Sequence, residues 1–196
     1  WVSTDTSQGI VLGKLQRPIV RLHINFSPPT TSGETYLTPD EIVTLFHEMG
    51  HAVHQLVSDI TVHSVSGGGG VEWDAIEIPS QWLEKYADTA ETLDRIARRA
   101  RRPLPTGMKG EIERWMTWRG GTRLIRQIRF ALYDLAVHAK RPRSAAAEWK
   151  QIRQRYPIPP IYHRSHFPCL FSHIFAGSYA AGYFSYLWSE VYSQLI

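Results

Sequence analysis

A chain of 196 residues with 43% apolar and 20% charged side chains has the make-up of an ordinary globular protein, long enough to bury on the order of 70% of its unfolded surface. Fourteen glycines and twelve prolines are near average and exclude low-complexity disorder, while a single cysteine, Cys169, excludes an internal disulfide framework and a cysteine-based zinc cluster. Lysine and arginine number 22 against 18 aspartates and glutamates, a net charge of +4 that is too small to argue for a nucleic-acid partner.

The chain opens at Trp1 with no basic or amphipathic leader in residues 1–9, and it stops at Ile196 inside a helical-looking run without a stop signal. Both ends read as those of an internal piece of a longer protein. Residues 10–26, β-branched and partly alternating, predict a strand or hairpin with Pro18 at an edge or a strand start. Thr38-Pro39-Asp40-Glu41 is a helix start: a capping threonine, a proline suited to the first turn, and a glutamate placed to complete a capping box. That helix runs to about Ser58, with Ile42, Leu45, Phe46, Met49, Val53, Leu56 and Val57 as its apolar face. Ser66 and the four glycines 67–70 predict a flexible loop with little side-chain constraint.

Further helices are predicted from Asp74 or Pro79 through Tyr86, over 89–102, over 109–139 with Gly120-Gly121 as a candidate break, over 144–155 up to Pro157, Pro159 and Pro160, and from Gly177 to Ile196. The fold class is mainly α with a small β element. Residues 165–189 hold no Asp, Glu, Lys or Arg, a length that could cross a bilayer. They also carry His166, Pro168, His173, five serines and three tyrosines, which suit the uncharged wall of a site and not hydrocarbon. The arginines 95, 98, 99, 101 and 102 lack interleaved aromatics and follow Glu91 and Asp94, so they read as a solvated helix face. The sequence thus gives no case for a membrane or a nucleic-acid partner.

His47-Glu48-Met49-Gly50-His51 lies within the well-capped helix. Residues four apart share a helix face, so both imidazoles can converge on one metal ion, and Glu48 points aside, where it can take a proton from a water the ion acidifies. His54 is a poor third donor, because it lies about 10.5 Å along the axis from His47 and three ligands must all sit about 2 Å from one ion. The third donor therefore comes from another element. Glu72, Asp74, Glu77 and Glu84 are the nearby carboxylates, His63 is a weaker option, and spacing does not choose among them. Asp74, Gln81, Glu84 and Glu41 are candidates for orienting a ligand histidine, and equally for a helix cap or a solvated face.

Tyr179, Tyr183 and Tyr186 follow at i, i+4 and i+7, one stripe of a helix, with His173 ahead of them across Ala176-Gly177-Ser178. A tyrosine stripe at this spacing usually packs a core. Phenol hydroxyls and a histidine can also donate hydrogen bonds to a carbonyl oxygen gaining negative charge.

Taken together and in order, FHEMGHAVHQL, GVEWDAIEIPSQWLEKY and FSHIFAGSYAAGYFSYLWSEV resemble the thimet oligopeptidase family of zinc metallopeptidases, nearest its bacterial oligopeptidase branch. RPIVRLHINFSPP and IRFALYDLAVH extend the likeness along the chain. The resemblance implies a partial zincin-like catalytic domain over residues 1–196, facing a deep channel. It implies one zinc ion on His47, His51 and Glu77, with Glu48 as general base. It further implies that His173, Tyr179, Tyr183 and Tyr186 bind substrate and stabilise the tetrahedral intermediate, Tyr183 and Tyr186 foremost. Substrates would be short peptides, because an N-terminal helical region missing here forms the opposite channel wall; a C-terminal segment of the family is missing too. Ser178 stands where the family usually has a second glycine, and Met49 where it usually has phenylalanine. Peptidyl-dipeptidase action is the nearest enzymatic alternative. The other alternative is an inactive fragment, a binding or structural piece whose uncovered apolar surface promotes self-association. The lone cysteine and the bacterial-type likeness favour a cytoplasmic location.

Overall fold

The β-branched start of the chain folds into four short strands, β1 Val2–Thr6, β2 Gly9–Val11, β3 Lys14–Gln16 and β4 Ile19–Leu22. β1 and β4 pair antiparallel with Val2 opposite Leu22 and a bulge between Thr4 and Thr6. β2 and β3 form a hairpin whose turn, Leu12-Gly13, holds both residues at positive φ, as a two-residue hairpin turn requires. The expected hairpin is therefore present, with Pro18 just ahead of β4. β1 is an additional strand that the sequence reading did not include. The structure, a computed structural model, describes residues 1–87, 89–140, 142, 144–159 and 166–196, the side chains at 116 and 119 excepted.

The helices are α1 Pro39–Leu56, α2 Ile78–Ala87, α3 Ala90–Arg99, α4 Met108–Leu135, α5 Ala145–Arg155, the short α6 Phe167–Leu170 and α7 Ser172–Phe175, and α8 Ser185–Ser193. The chain divides into two compact units, Trp1–Trp115 with Ser189–Ile196, and Met116–Trp188.

In the first unit α1 starts with the expected capping box. Thr38 Oγ1 accepts from Glu41 N at 3.2 Å, and Thr38 N donates to Glu41 Oε2 at 2.7 Å. The buried residues of α1 are not its apolar stripe but Gly50 and Ala52, while Met49, Val53, Leu56 and Val57 are exposed. The reason is a close helix–helix approach on the small-residue side. A Cβ at Gly50 would lie 2.5 Å from Pro79 O and from Ser80 Cα. The glycine run is likewise no open loop. Residues Gly67–Gly70 form a 3₁₀ turn, and added Cβ atoms would meet Gln55 at Gly67 and Gly68, Ser64 O at Gly69, and Val65 at Gly70. Close packing selects glycine along the run, and at Gly67 a left-handed φ of +60° does so as well.

In the second unit Phe130, Tyr133, Trp149, Ile152, Phe171, Ile174 and Tyr183 make an aromatic-rich core, with Phe130 and Phe167 stacked at 4.5 Å. α4 runs unbroken through Gly120 and Gly121, where among the described residues no atom beyond the helix's own backbone lies within 4 Å of an added Cβ, and it ends in a π turn, Ala136–Lys140. α5 matches its expected span and is capped by Ser144; of the prolines expected to end it, Pro160 lies outside the described residues, as does Ser165. The last helix departs from expectation. It begins at Ser185 and ends at Ser193, because residues 177–184 are turns whose backbone is held from α4. Among the described residues, no helix is long and apolar enough to cross a membrane.

Candidate functional site

Helical spacing presents His47 and His51 on one face of α1, their rings edge to face with centroids 4.9 Å apart. The Gly50 crossing brings the start of α2 against that face. Glu77, 1% exposed and just ahead of α2, points its Oε2 between the imidazoles, 3.3 Å from His47 Nε2 and 3.1 Å from His51 Nε2. Ser80 Oγ donates to the same oxygen at 2.9 Å and to Glu77 O at 2.8 Å, which fixes the carboxylate. One ligand atom from each of His47, His51 and Glu77 lies within 4.8 Å of the others. Tetrahedral zinc with ligands at 2.0–2.1 Å separates its donors by about 3.3 Å, close to the two Glu77–histidine separations.

The electrostatics suit a cation as well. Glu84, two turns along from Glu77, hydrogen-bonds His47 Nδ1 and leaves Nε2 facing the centre. Burial opposes a charged His47, yet the hydrogen bonds to Glu77 and Glu84 outweigh it and push its pKa up to about 10. Burial likewise works against an ionised Glu77, but the two histidines hold its carboxyl well below the usual carboxylate range. A pocket that stabilises positive charge between two histidines has the polarity a divalent ion needs. His54 lies outside the group, its pKa lowered by burial and by His51. Glu48 sits partly buried on α1, next to His47 in sequence. Glu41 is committed to the cap, and the Asp74 carbonyl accepts from Ser189 Oγ at 2.7 Å.

The other predicted site residues lie in the second unit. His173 is exposed at α7, Tyr179 and Tyr186 are half-buried, and Tyr183 is buried. Their rings form one cluster: Tyr179 stacks on Tyr186 at 5.0 Å, Tyr183 lies 4.9 Å from Tyr186 and 6.0 Å from His173, and His173 lies 6.2 Å from Tyr179. The cluster does not come from a helical stripe, since only Tyr186 lies on α8. It comes from turns that fold Tyr179 and Tyr183 back beside it. Sequence reasoning did not find Gly50, Ser80 or Asp134 as organising residues. Glu84 was legible in part, because seven residues from Glu77 on a helix means the same face.

Paired histidines on one helix and a buried glutamate from the turn before the next thus form a group that could hold a metal ion. The family model described as "Peptidase family M3" matches residues 2–196, and the chain belongs to that family. It is 38% identical to "Oligopeptidase A" of Escherichia coli K12, over 91% of this chain and 27% of that protein. It is 37% identical to "Probable cytosolic oligopeptidase A" of Arabidopsis thaliana, over 98% of this chain and 29% of that protein. It is 27% identical to "Dipeptidyl carboxypeptidase" of Salmonella typhimurium, over 89% of this chain and 27% of that protein. The chain thus spans under a third of the length of these relatives.

Proposed function

We propose that this chain is the metal-binding part of a zinc peptidase that hydrolyses internal bonds of short peptides. The observation that carries the reading is the meeting of His47, His51 and Glu77 donor atoms around one point. Zinc held by these three residues would supply Lewis acidity, lowering the pKa of a water towards about 7 and polarising the scissile carbonyl. Glu84 orients His47 through Nδ1, and Ser80 orients Glu77. Glu48 takes a proton from the attacking water on its carboxylate and delivers it to the leaving amine nitrogen. His173, Tyr179, Tyr183 and Tyr186 are proposed, on the family resemblance, as hydrogen-bond donors to the substrate and to its carbonyl oxygen as charge develops. Tyr183 and Tyr186 lead among them, and the Tyr183 hydroxyl donates to Gln127 Oε1 at 3.1 Å.

We assign the opposite wall of a peptide-sized channel to a helical region of the whole protein outside this chain, and a cytoplasmic setting that suits the single cysteine of the 196 residues. The relative named a dipeptidyl carboxypeptidase supports a second reading, release of dipeptides from peptide C-termini. Product masses from a blocked oligopeptide separate the two. Glu48→Gln in the full chain is expected to cut hydrolysis by about 10³-fold or more while zinc content stays at parent level, whereas Glu77→Ala loses zinc. Parent-level hydrolysis in Glu48→Gln overturns the general-base assignment.

A further inference from the structure

Asp134, on α4, is fully buried. A buried carboxylate is costly unless its lone pairs are filled. Here Oδ1 accepts from Ala181 N and Oδ2 from Tyr183 N, both at 2.8 Å, and His138 Nδ1 lies 2.8 Å from Oδ1. The two amides flank Gly182, in the stretch where a helix was expected and turns are found. Ala181 sits at φ +57°, a left-handed conformation that costs a non-glycine residue about 1 kcal/mol or more. The carboxylate therefore holds a backbone shape that the local sequence does not favour by itself.

The next residue clamped is Tyr183, which Asp134 grips by its amide and Gln127 by its hydroxyl. Gln127 and Asp134 are seven residues apart, two turns along one face of α4. Tyr183 is also the hub of the ring cluster, touching His173, Tyr179, Tyr186 and Phe171. Whatever fixes Tyr183 at both ends fixes the direction of its neighbours.

We propose that Asp134 and Gln127 are positioning residues that mould the 177–184 turns and thereby aim Tyr179 and Tyr186. The catalytic meaning rests on the function proposed above; the mould itself does not. Asp134→Asn keeps the size but replaces an accepting oxygen with an amide that faces a backbone N–H. In the full chain, we expect amide exchange across residues 177–186 to quicken at least about tenfold while α1 and α2 keep their protection and zinc content stays at parent level. On a quenched oligopeptide, kcat should fall about 100-fold with KM changed less than about threefold, since misaimed donors weaken the transition state more than the ground state. Gln127→Leu, similar in volume and leaving the buried carboxylate intact, should lower kcat about tenfold with an unchanged melting temperature.

Parent-level exchange in Asp134→Asn overturns the proposal. If that variant fails to fold, Gln127→Leu decides: lower kcat at constant KM supports the mould, and parent kinetics overturn it. A parent chain that binds zinc but cleaves no peptide, with 177–186 still loosened by Asp134→Asn, defeats the peptidase reading and the catalytic use of the mould, and leaves the mould standing.

Discussion

The two units organise their candidate functional side chains by opposite means. In the first, the donors sit on or beside regular helices, and the decisive contact is a bare backbone crossing at Gly50, with Ser80 and Ala52 as the small buried residues near it. In the second, large rings pack the core, and the cluster of His173 and three tyrosines hangs on turns tied to a distant aspartate. A site made from helix periodicity tolerates substitutions that preserve the crossing. A site made from turns depends on hydrogen bonds that no local pattern reveals.

The sharpest way to break this contrast is at the crossing. Gly50→Ala gains about 1 kcal/mol of helix propensity but drives a methyl group to 2.5 Å from backbone atoms that no rotamer can move. Overpacking of that kind costs about 3 kcal/mol, so the net loss is about 2 kcal/mol. Denaturant unfolding should show it, with weakened zinc binding because Glu77 moves away from the histidines. Unchanged stability and zinc affinity would mean that the helices approach less closely than 2.5 Å implies.

A smaller effect is expected at Glu84→Gln. The amide can still accept from His47 Nδ1 but no longer presents a charge, and zinc affinity should weaken by about 10–100-fold with little change in unfolding midpoint. Competition with a chromophoric chelator measures it. The smallest effect lies at the start of α1. Glu41 accepts from Thr38 N at 2.7 Å and from Ser27 N and Oγ at 2.8 Å, and these bonds, the Thr38 amide first, lower its pKa from 4.5 to about 2. A depressed carboxyl contributes stability that is fully present above pH 4.5 and lost as pH falls towards 2. The melting temperature of Glu41→Gln should therefore lie below the parent's at pH 6 and approach it near pH 2.

How much could be read from the sequence follows the same division. The capping box, the histidine pair and the exclusion of His54 from the donor group all depend on residues within one helix, where spacing translates directly into geometry. The choice of Glu77 over Glu72, Asp74 and Glu84 depended on family resemblance, because the donor enters from a turn. The apolar stripe of α1 misled about burial, since the helix turns its small residues inward. The tyrosine stripe misled about secondary structure, since Asp134 lies 45 to 52 residues away from the tyrosines whose turns it shapes. A side chain acting across that distance leaves no periodic trace.

The glycine run 67–70 carries one more consequence. Every one of the four positions faces a close neighbour, Gln55 at Gly67 and Gly68, Ser64 O at Gly69 and Val65 at Gly70, so a segment that looks like filler is constrained along its whole length. Its plainness is a mould cast by Gln55, Ser64, Val65 and Ile76, and random mutagenesis should find Gly67, at a left-handed φ, and Gly70, against the Val65 backbone, its least tolerant positions.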